Sequence, residues 1–160
     1  MALQSRGFCG IGLLRPKYVK NVGGALRAAF AFDVSYVAIQ GDRTSPLSSE
    51  DTTKAWRHIP VVRAPDLLSV IPYDAVPVAV DLLEGATDLP SYVHPERALY
   101  IFGPEDGTLG ASIVDRCRDR VAVPTRTCLN LAATVNIVLY DRMAKRVCAA
   151  RPAAAQQRGP

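Results

Sequence analysis

The sequence predicts an α/β fold built on a mostly parallel sheet flanked by helices. Three observations lead there. Short apolar runs rich in β-branched residues recur along the chain, bounded by Gly, Pro and Asp. Between them lie helix-compatible stretches, so that strands and helices alternate as βαβ units require. The 160 residues, 49% of them apolar or aromatic and 21% charged, have the size and usage of one globular domain with its own core.

The first strand is expected over 8–14, where no polar side chain interrupts Phe-Cys-Gly-Ile-Gly-Leu-Leu, the pattern of a strand covered on both faces. A helix follows over 22–32. Asn21 precedes it, and its side-chain oxygen is suited to accept an exposed backbone N–H of the opening turn as an N-cap. Gly23 and Gly24 lower helix propensity at that opening, which points to something approaching the backbone closely. Further strands are expected over 34–39, 59–62, 76–82, 99–102 and 120–123, with helical stretches over 49–56, 65–70 and 109–116 between them. The last helix, 129 to about 147, carries Val135, Ile137, Val138, Leu139 and Met143 close together and needs cover on more than one side, from a core or from a second copy. Acidic segments at 41–51 and 83–95 look like surface connections. The stretch 149–160 lacks periodicity and is expected to fray, leaving one domain over 1–148.

Several function classes lose their supports. No apolar run approaches the roughly 18 residues of a membrane span, and no secretory leader is visible, so a cytoplasmic protein is expected. Cys9, Cys117, Cys128 and Cys148 form no CxxC pair and sit mostly in apolar segments, as reduced, buried thiols would. His58 and His94 stand alone in their neighbourhoods, so no metal site is expected. There is no GxGxxG after the first strand, no GxxxxGK[ST] and no GxSxG, which removes the dinucleotide, phosphate-loop and serine-hydrolase readings.

Charge is unevenly spread. Residues 1–32 hold Arg6, Arg15, Lys17, Lys20 and Arg27 with no acid, and residues 142–160 hold Arg142, Lys145, Arg146, Arg151 and Arg158 with none. If the two ends share a face, that face attracts phosphates; otherwise it is a solvated surface with a basic tail.

Three segments offer chemistry. Arg27 follows Asn21 by six residues, and the two reach a common area only if Arg27 bends back along the helix; locally they also fit a cap and a surface charge. The turn Phe102-Gly103-Pro104-Glu105-Asp106-Gly107 leaves a strand at the sheet's carboxyl edge, where ligands of open α/β sheets bind. Glu105 is either a solvated acid or an acceptor for a ligand or a neighbouring loop. After the strand at 120–123 a polar turn runs straight into the last helix, and Asn130 stands beside free backbone donors, suited to capping or to ligand contact.

In order, Asn21-Val22-Gly23-Gly24-Ala25-Leu26-Arg27, Leu99-Tyr100-Ile101-Phe102-Gly103-Pro104-Glu105 and Cys128-Leu129-Asn130-Leu131-Ala132-Ala133 resemble the three motifs of TrmH-like (SpoU) RNA ribose 2'-O-methyltransferases of the SPOUT superfamily. The resemblance spans roughly residues 8–147. It implies a deep C-terminal trefoil knot, a homodimer and S-adenosylmethionine held in the knot. It makes Arg27 the catalytic arginine, with Asn21, Glu105 and Asn130 completing the catalytic set. Phe102, Gly103, Pro104, Val121, Val123, Cys128 and Leu129 fall at cofactor-binding positions. Two positions depart from the family pattern: Cys128 stands where Ser is usual, and 103–109 reads Gly-Pro-Glu-Asp-Gly-Thr-Leu rather than GxEsxGL.

With the motifs starting so near Met1, the chain is most similar to the minimal tRNA wobble-nucleotide 2'-O-methyltransferases. RNA is then expected on the dimer surface, with Arg6, Arg15, Lys17, Lys20, Arg126, Arg142, Lys145 and Arg146 as phosphate contacts. A methyltransferase acting on rRNA or another tRNA position would carry the same motifs. A non-catalytic RNA-binding module that holds the cofactor is the remaining alternative.

Overall fold

β1 (Phe8–Leu14) runs through the middle of the sheet because both of its faces are apolar or bare. The computed structural model describes residues 7–44 and 54–150. Within them β1 pairs on one side with β2 (Tyr36–Gln40) and on the other with β6 (Arg97–Phe102). β3 (Val61–Arg63), β4 (Val76–Val80), β5 (Thr87–Asp88) and β7 (Asp119–Ala122) complete a seven-stranded sheet in the order β3-β2-β1-β6-β4-β7-β5. Every pairing is parallel.

Alternation along β1 and β6 divides the core. Ile11, Leu13, Ala98, Tyr100 and Phe102 face one layer, beneath α1 (Val19–Ala31) and α3 (Leu131–Ala150). Leu14, Leu99 and Ile101 face the other, with Leu67 from the 3-10 turn Leu67–Val70 and with Ile113 and Val114 of α2 (Ala111–Val114). Gly10 and Gly12 point to this second layer. A methyl at Gly10 would run into the Tyr36 ring, and one at Gly12 would come within 3.2 Å of Leu67.

α1 buries Val22, Ala25, Leu26 and Ala29, the i, i+3, i+4, i+7 stripe of an amphipathic helix. It begins at Val19, three residues before the expected start, so Asn21 lies inside the first turn and does not cap it. The close approach signalled by the glycine pair is real: a Cβ at Gly24 would sit 2.7 Å from that of Ala132 on α3.

The second half of α3 is held by a buried polar network. The Arg142 guanidinium donates to the carbonyls of Pro95 (2.5 Å), Glu96 (2.7 Å) and Phe8 (3.4 Å) and to the Tyr100 hydroxyl (3.1 Å). His94 bridges Tyr100 (2.6 Å) and Asp141 (2.8 Å), and its burial pushes the imidazole below its ordinary pKa.

The strands fall within two or three residues of expectation, with β1 as expected. β5 was not foreseen: two residues inside the acidic 83–95 stretch carry no periodicity to see. The helical stretch at 65–70 shrinks to one 3-10 turn, with the Asp66 carboxylate accepting from Leu68 N–H at 3.1 Å and Pro72 close behind. The stretch at 109–116 shrinks to α2 because Gly110, at φ +73°, delays its start. Of the stretch at 49–56, only 54–56 lies within the described residues, where Ala55–Arg57 form a 3-10 turn. α3 continues through residues 149 and 150, and 151–160 lie outside the described residues. No described helix is long and apolar enough to cross a membrane.

Alanine favours helix over glycine by about 1 kcal/mol, yet Gly24→Ala is expected to destabilise by roughly 1–3 kcal/mol because the helices must part. Adding Ala132→Gly should recover most of that loss in chemical denaturation; equal melts for wild type and Gly24→Ala would refute the tight contact.

Candidate active site

In a parallel sheet all carboxyl ends share one edge, so the loops that leave β1, β4, β6 and β7 are gathered there. Glu105, in the loop after β6, is their junction. Its Oε2 accepts the Lys17 N–H at 2.8 Å, and its Oε1 accepts Asn21 Nδ2 at 2.5 Å and the Tyr18 N–H at 3.4 Å. Asn21 Oδ1 in turn accepts Asn130 Nδ2 at 2.7 Å. Asn130 Oδ1 caps α3, accepting the N–H of Ala132 at 2.9 Å and of Ala133 at 3.3 Å. The carboxylate fixes every orientation in this relay: the Asn21 group facing it must be the NH2 end, which leaves its oxygen for Asn130. Of the two sequence readings of Asn130, the structure shows the cap, and it adds the bond to Asn21.

Burial pushes the Glu105 carboxyl upward, but the donors from Asn21, Lys17 and Tyr18 outweigh it and hold the pKa below its ordinary value. Asp106 faces the other way. Arg43 grips it through two hydrogen bonds of 2.8 and 3.1 Å and Lys17 lies 3.5 Å off, so its carboxyl is held well below the usual range. This contact pins the loop after β2 to the loop after β6; at 39% and 38% side-chain exposure it adds little to stability.

Beside Glu105 opens a cleft with about 660 Å³ of space, part of it continuous with solvent. Phe102, Gly103, Pro104, Val123, Cys128 and Leu129, six of the seven residues expected at cofactor-binding positions, line it. Val121 does not: it is fully buried on β7, with its side chain in the core layer beneath α1 and α3. Sequence reasoning missed Asp81, Leu82, Thr125 and Thr134, which also line the cleft. Asp81 braces the wall through the N–H groups of Leu82 (2.8 Å) and Leu109 (3.0 Å). The expected strand over 76–82 takes in Asp81, whereas β4 ends at Val80 and leaves Asp81 as the first residue of the loop at the carboxyl edge.

Arg27 is exposed on α1, makes no hydrogen bond or ion pair among the described residues, and stands roughly 9 Å along the axis from Asn21. Arg15, Lys17 and Lys20 are exposed around the start of α1, and Arg126 is exposed in the loop before α3. Two expected phosphate contacts need correction. Arg142 is buried, with its guanidinium spent on the carbonyls described above. Lys145 Nζ is bound to the carbonyls of Leu89 (2.6 Å) and Tyr92 (3.0 Å) and to Asp141 (2.6 Å). Arg146 is half-buried, and Arg6 lies outside the described residues. The expectation of buried thiols holds only for Cys117 and the half-buried Cys9, each pushed up to about 11 by burial; Cys128 and Cys148 are exposed.

The sequence pattern of the SpoU rRNA methylase family matches residues 10–140. The chain belongs to that family. Proteins with curated descriptions give no match. Among solved structures, the chain is similar to the SpoU methyltransferase AviRb from Streptomyces viridochromogenes in complex with the cofactor AdoMet, at 21% identity and a TM-score of 0.79, over 91% of this chain and 62% of that one. An AdoMet-bound rRNA methyltransferase from Sinorhizobium meliloti aligns at 23% identity and a TM-score of 0.78, over 88% and 57% of the two chains. A structure described as giving insights into the 2-OH methylation of C/U34 on tRNA aligns at 20% identity and a TM-score of 0.77, over 89% of this chain and 99% of that one. At these identities the likeness is one of fold. The chain spans about three fifths of the length of the first two.

Glu105→Gln should destabilise the fold by about 1–2 kcal/mol near neutral pH, since a carboxylate accepting several donors becomes an amide that must also donate. Because the folded pKa is lowered, the carboxylate's contribution is present above the ordinary range near pH 4 and fades as pH falls through it. The gap between the two proteins in denaturant melts should therefore close on acidification; a gap independent of pH would count against the relay.

Proposed function

We propose that this chain is an S-adenosylmethionine-dependent RNA methyltransferase that acts on a ribose 2'-hydroxyl, at the wobble nucleotide of tRNA. The observation that carries this is the Glu105–Asn21–Asn130 relay, which joins residues from three distant motifs beside one cleft. The tRNA assignment draws support from the C/U34 structure, whose whole length this chain matches.

The residues present fit the cofactor. Phe102, Val123 and Leu129 offer apolar walls for an adenosyl group, and the anionic Glu105 at the lining suits a ligand bearing positive charge. When bound, S-adenosylmethionine supplies a methyl group carried on a sulfonium. The chain's own task is to hold a ribose hydroxyl in line and to manage its proton. Asn21, buried and fixed at both ends, holds Glu105 and Asn130 in position behind the cleft. Arg27, bent back along α1, faces developing alkoxide charge as a cation, or accepts the proton in a dry pocket; the first asks less of a guanidinium. Arg15, Lys17 and Lys20 around the start of α1 and Arg126 before α3, all exposed, serve as phosphate contacts.

The loops at 81–82, 103–107 and 123–130 meet at one sheet edge, which is compatible with the trefoil knot. A homodimer is supported by α3, where Ile137 and Tyr140 remain 38% and 59% exposed. The family's description and the Sinorhizobium meliloti structure favour rRNA as a second reading of the substrate.

Arg27→Ala is expected to cut methyl transfer on the order of 10²–10³-fold with cofactor affinity retained, and Arg27→Lys to lose less. Radiolabel transferred to unmodified tRNA supports the wobble reading, label in rRNA the second, and label in neither removes the activity. Independently of turnover, S-adenosylmethionine should slow alkylation of Cys128 in a Cys148→Ser background; unchanged labelling would take the cofactor out of this cleft.

A further inference from the structure

Away from the cleft, the solvent side of α1 carries an arrangement that the relay does not use. Phe30 lies one turn beyond Arg27 and is 46% exposed. Its ring stacks on His58, with centroids 5.0 Å apart and planes inclined by 27°. His58 directly follows the 3-10 turn Ala55–Arg57, which packs against α1. Within that turn the Arg57 guanidinium lies 5.0 Å from the centre of the Trp56 ring. Lys54, Arg57 and His58 are all exposed, and the acid nearest Phe30 in sequence is Asp33 at the end of α1.

An aromatic ring left half in water forgoes part of its burial free energy, and here the neighbouring positions are cations rather than apolar cover. Flat rings and guanidinium planes set among positive charges are what single-stranded RNA binds: bases stack on the planes and phosphates meet the cations. An apolar partner surface would have to desolvate Arg27, Lys54 and Arg57 without pairing them. From Asn21 to Phe30 the helix advances roughly 14 Å, a distance a few nucleotides cover.

We propose that Phe30, His58 and the Arg57 guanidinium form a stacking platform for unpaired bases that flank the target nucleotide, with Lys54 facing their phosphates. The proposal rests on the RNA-methyltransferase reading for the words "target nucleotide", but the platform itself binds single-stranded RNA with or without turnover. Stacking makes it tolerant of base identity and intolerant of base removal.

Trp56 is the single tryptophan of the chain and reports on this spot. Its emission is expected to change when a short oligouridylate is added to the full chain, and to change far less with an abasic oligomer of equal length and charge. Phe30→Ala and His58→Ala should each weaken oligouridylate binding by about 5- to 100-fold, and Phe30→Tyr should restore it. S-adenosylmethionine affinity should stay as in wild type, and in any RNA that accepts methyl the two variants should raise KM with kcat retained. Base-dependent binding lost in Phe30→Ala upholds the platform even if no RNA accepts a methyl group, so the two readings fail separately. Equal binding of the abasic oligomer overturns it. So does a change of oligomeric state in Phe30→Ala at unchanged oligouridylate affinity, which would assign the surface to a second copy.

Discussion

A single side-chain amide, that of Asn21, holds the functional edge of this protein together. It donates to a carboxylate from the loop after β6 and accepts from the residue that caps α3. Three segments separated by 84 and 109 residues in the chain thereby acquire fixed mutual positions. The geometry depends on backbone proximity. Gly24, one turn along from Asn21, has no side chain to hold α3 away, and the contact with Ala132 brings Asn130 within reach. The glycine that weakens α1 as an isolated helix is what lets the relay form.

Much of this was legible in the sequence, and the reasons differ by element. β1 was readable because seven consecutive residues without a polar side chain can only be buried on both faces. α1 and α3 were readable from their stripes, though the start of α1 was missed: no side chain caps it, and the N–H groups of Lys17 and Tyr18 just before it go to Glu105, a partner 88 and 87 residues away that no local pattern encodes. β5 and the 3-10 turns were too short to show a period. Glu105 and Asn130 could be flagged from their places at a strand end and a helix start, whereas Asp81 went unnoticed because the expected strand over 76–82 takes it in.

The basic residues illustrate the limit most clearly. Arg142, Lys145, Arg15 and Lys20 are alike as letters, and charge counting treats them alike. Two of them serve main-chain carbonyls at the far end of the sheet, and two remain exposed around the start of α1. Burial separates the cations that structure uses from those left to meet a polyanion.

The guanidinium of Arg142 has one further implication. It satisfies carbonyls at residue 8, early in the order of synthesis, and at 95 and 96, well after it, from a position in α3. A nascent chain leaving the ribosome would thus carry acceptors without their native donor until almost the last turn has emerged. The corner where β1 and β6 begin is thus secured by a residue synthesised after all seven strands, and a ribosome stalled shortly before residue 142 would present the strands with those carbonyls still lacking their native donor.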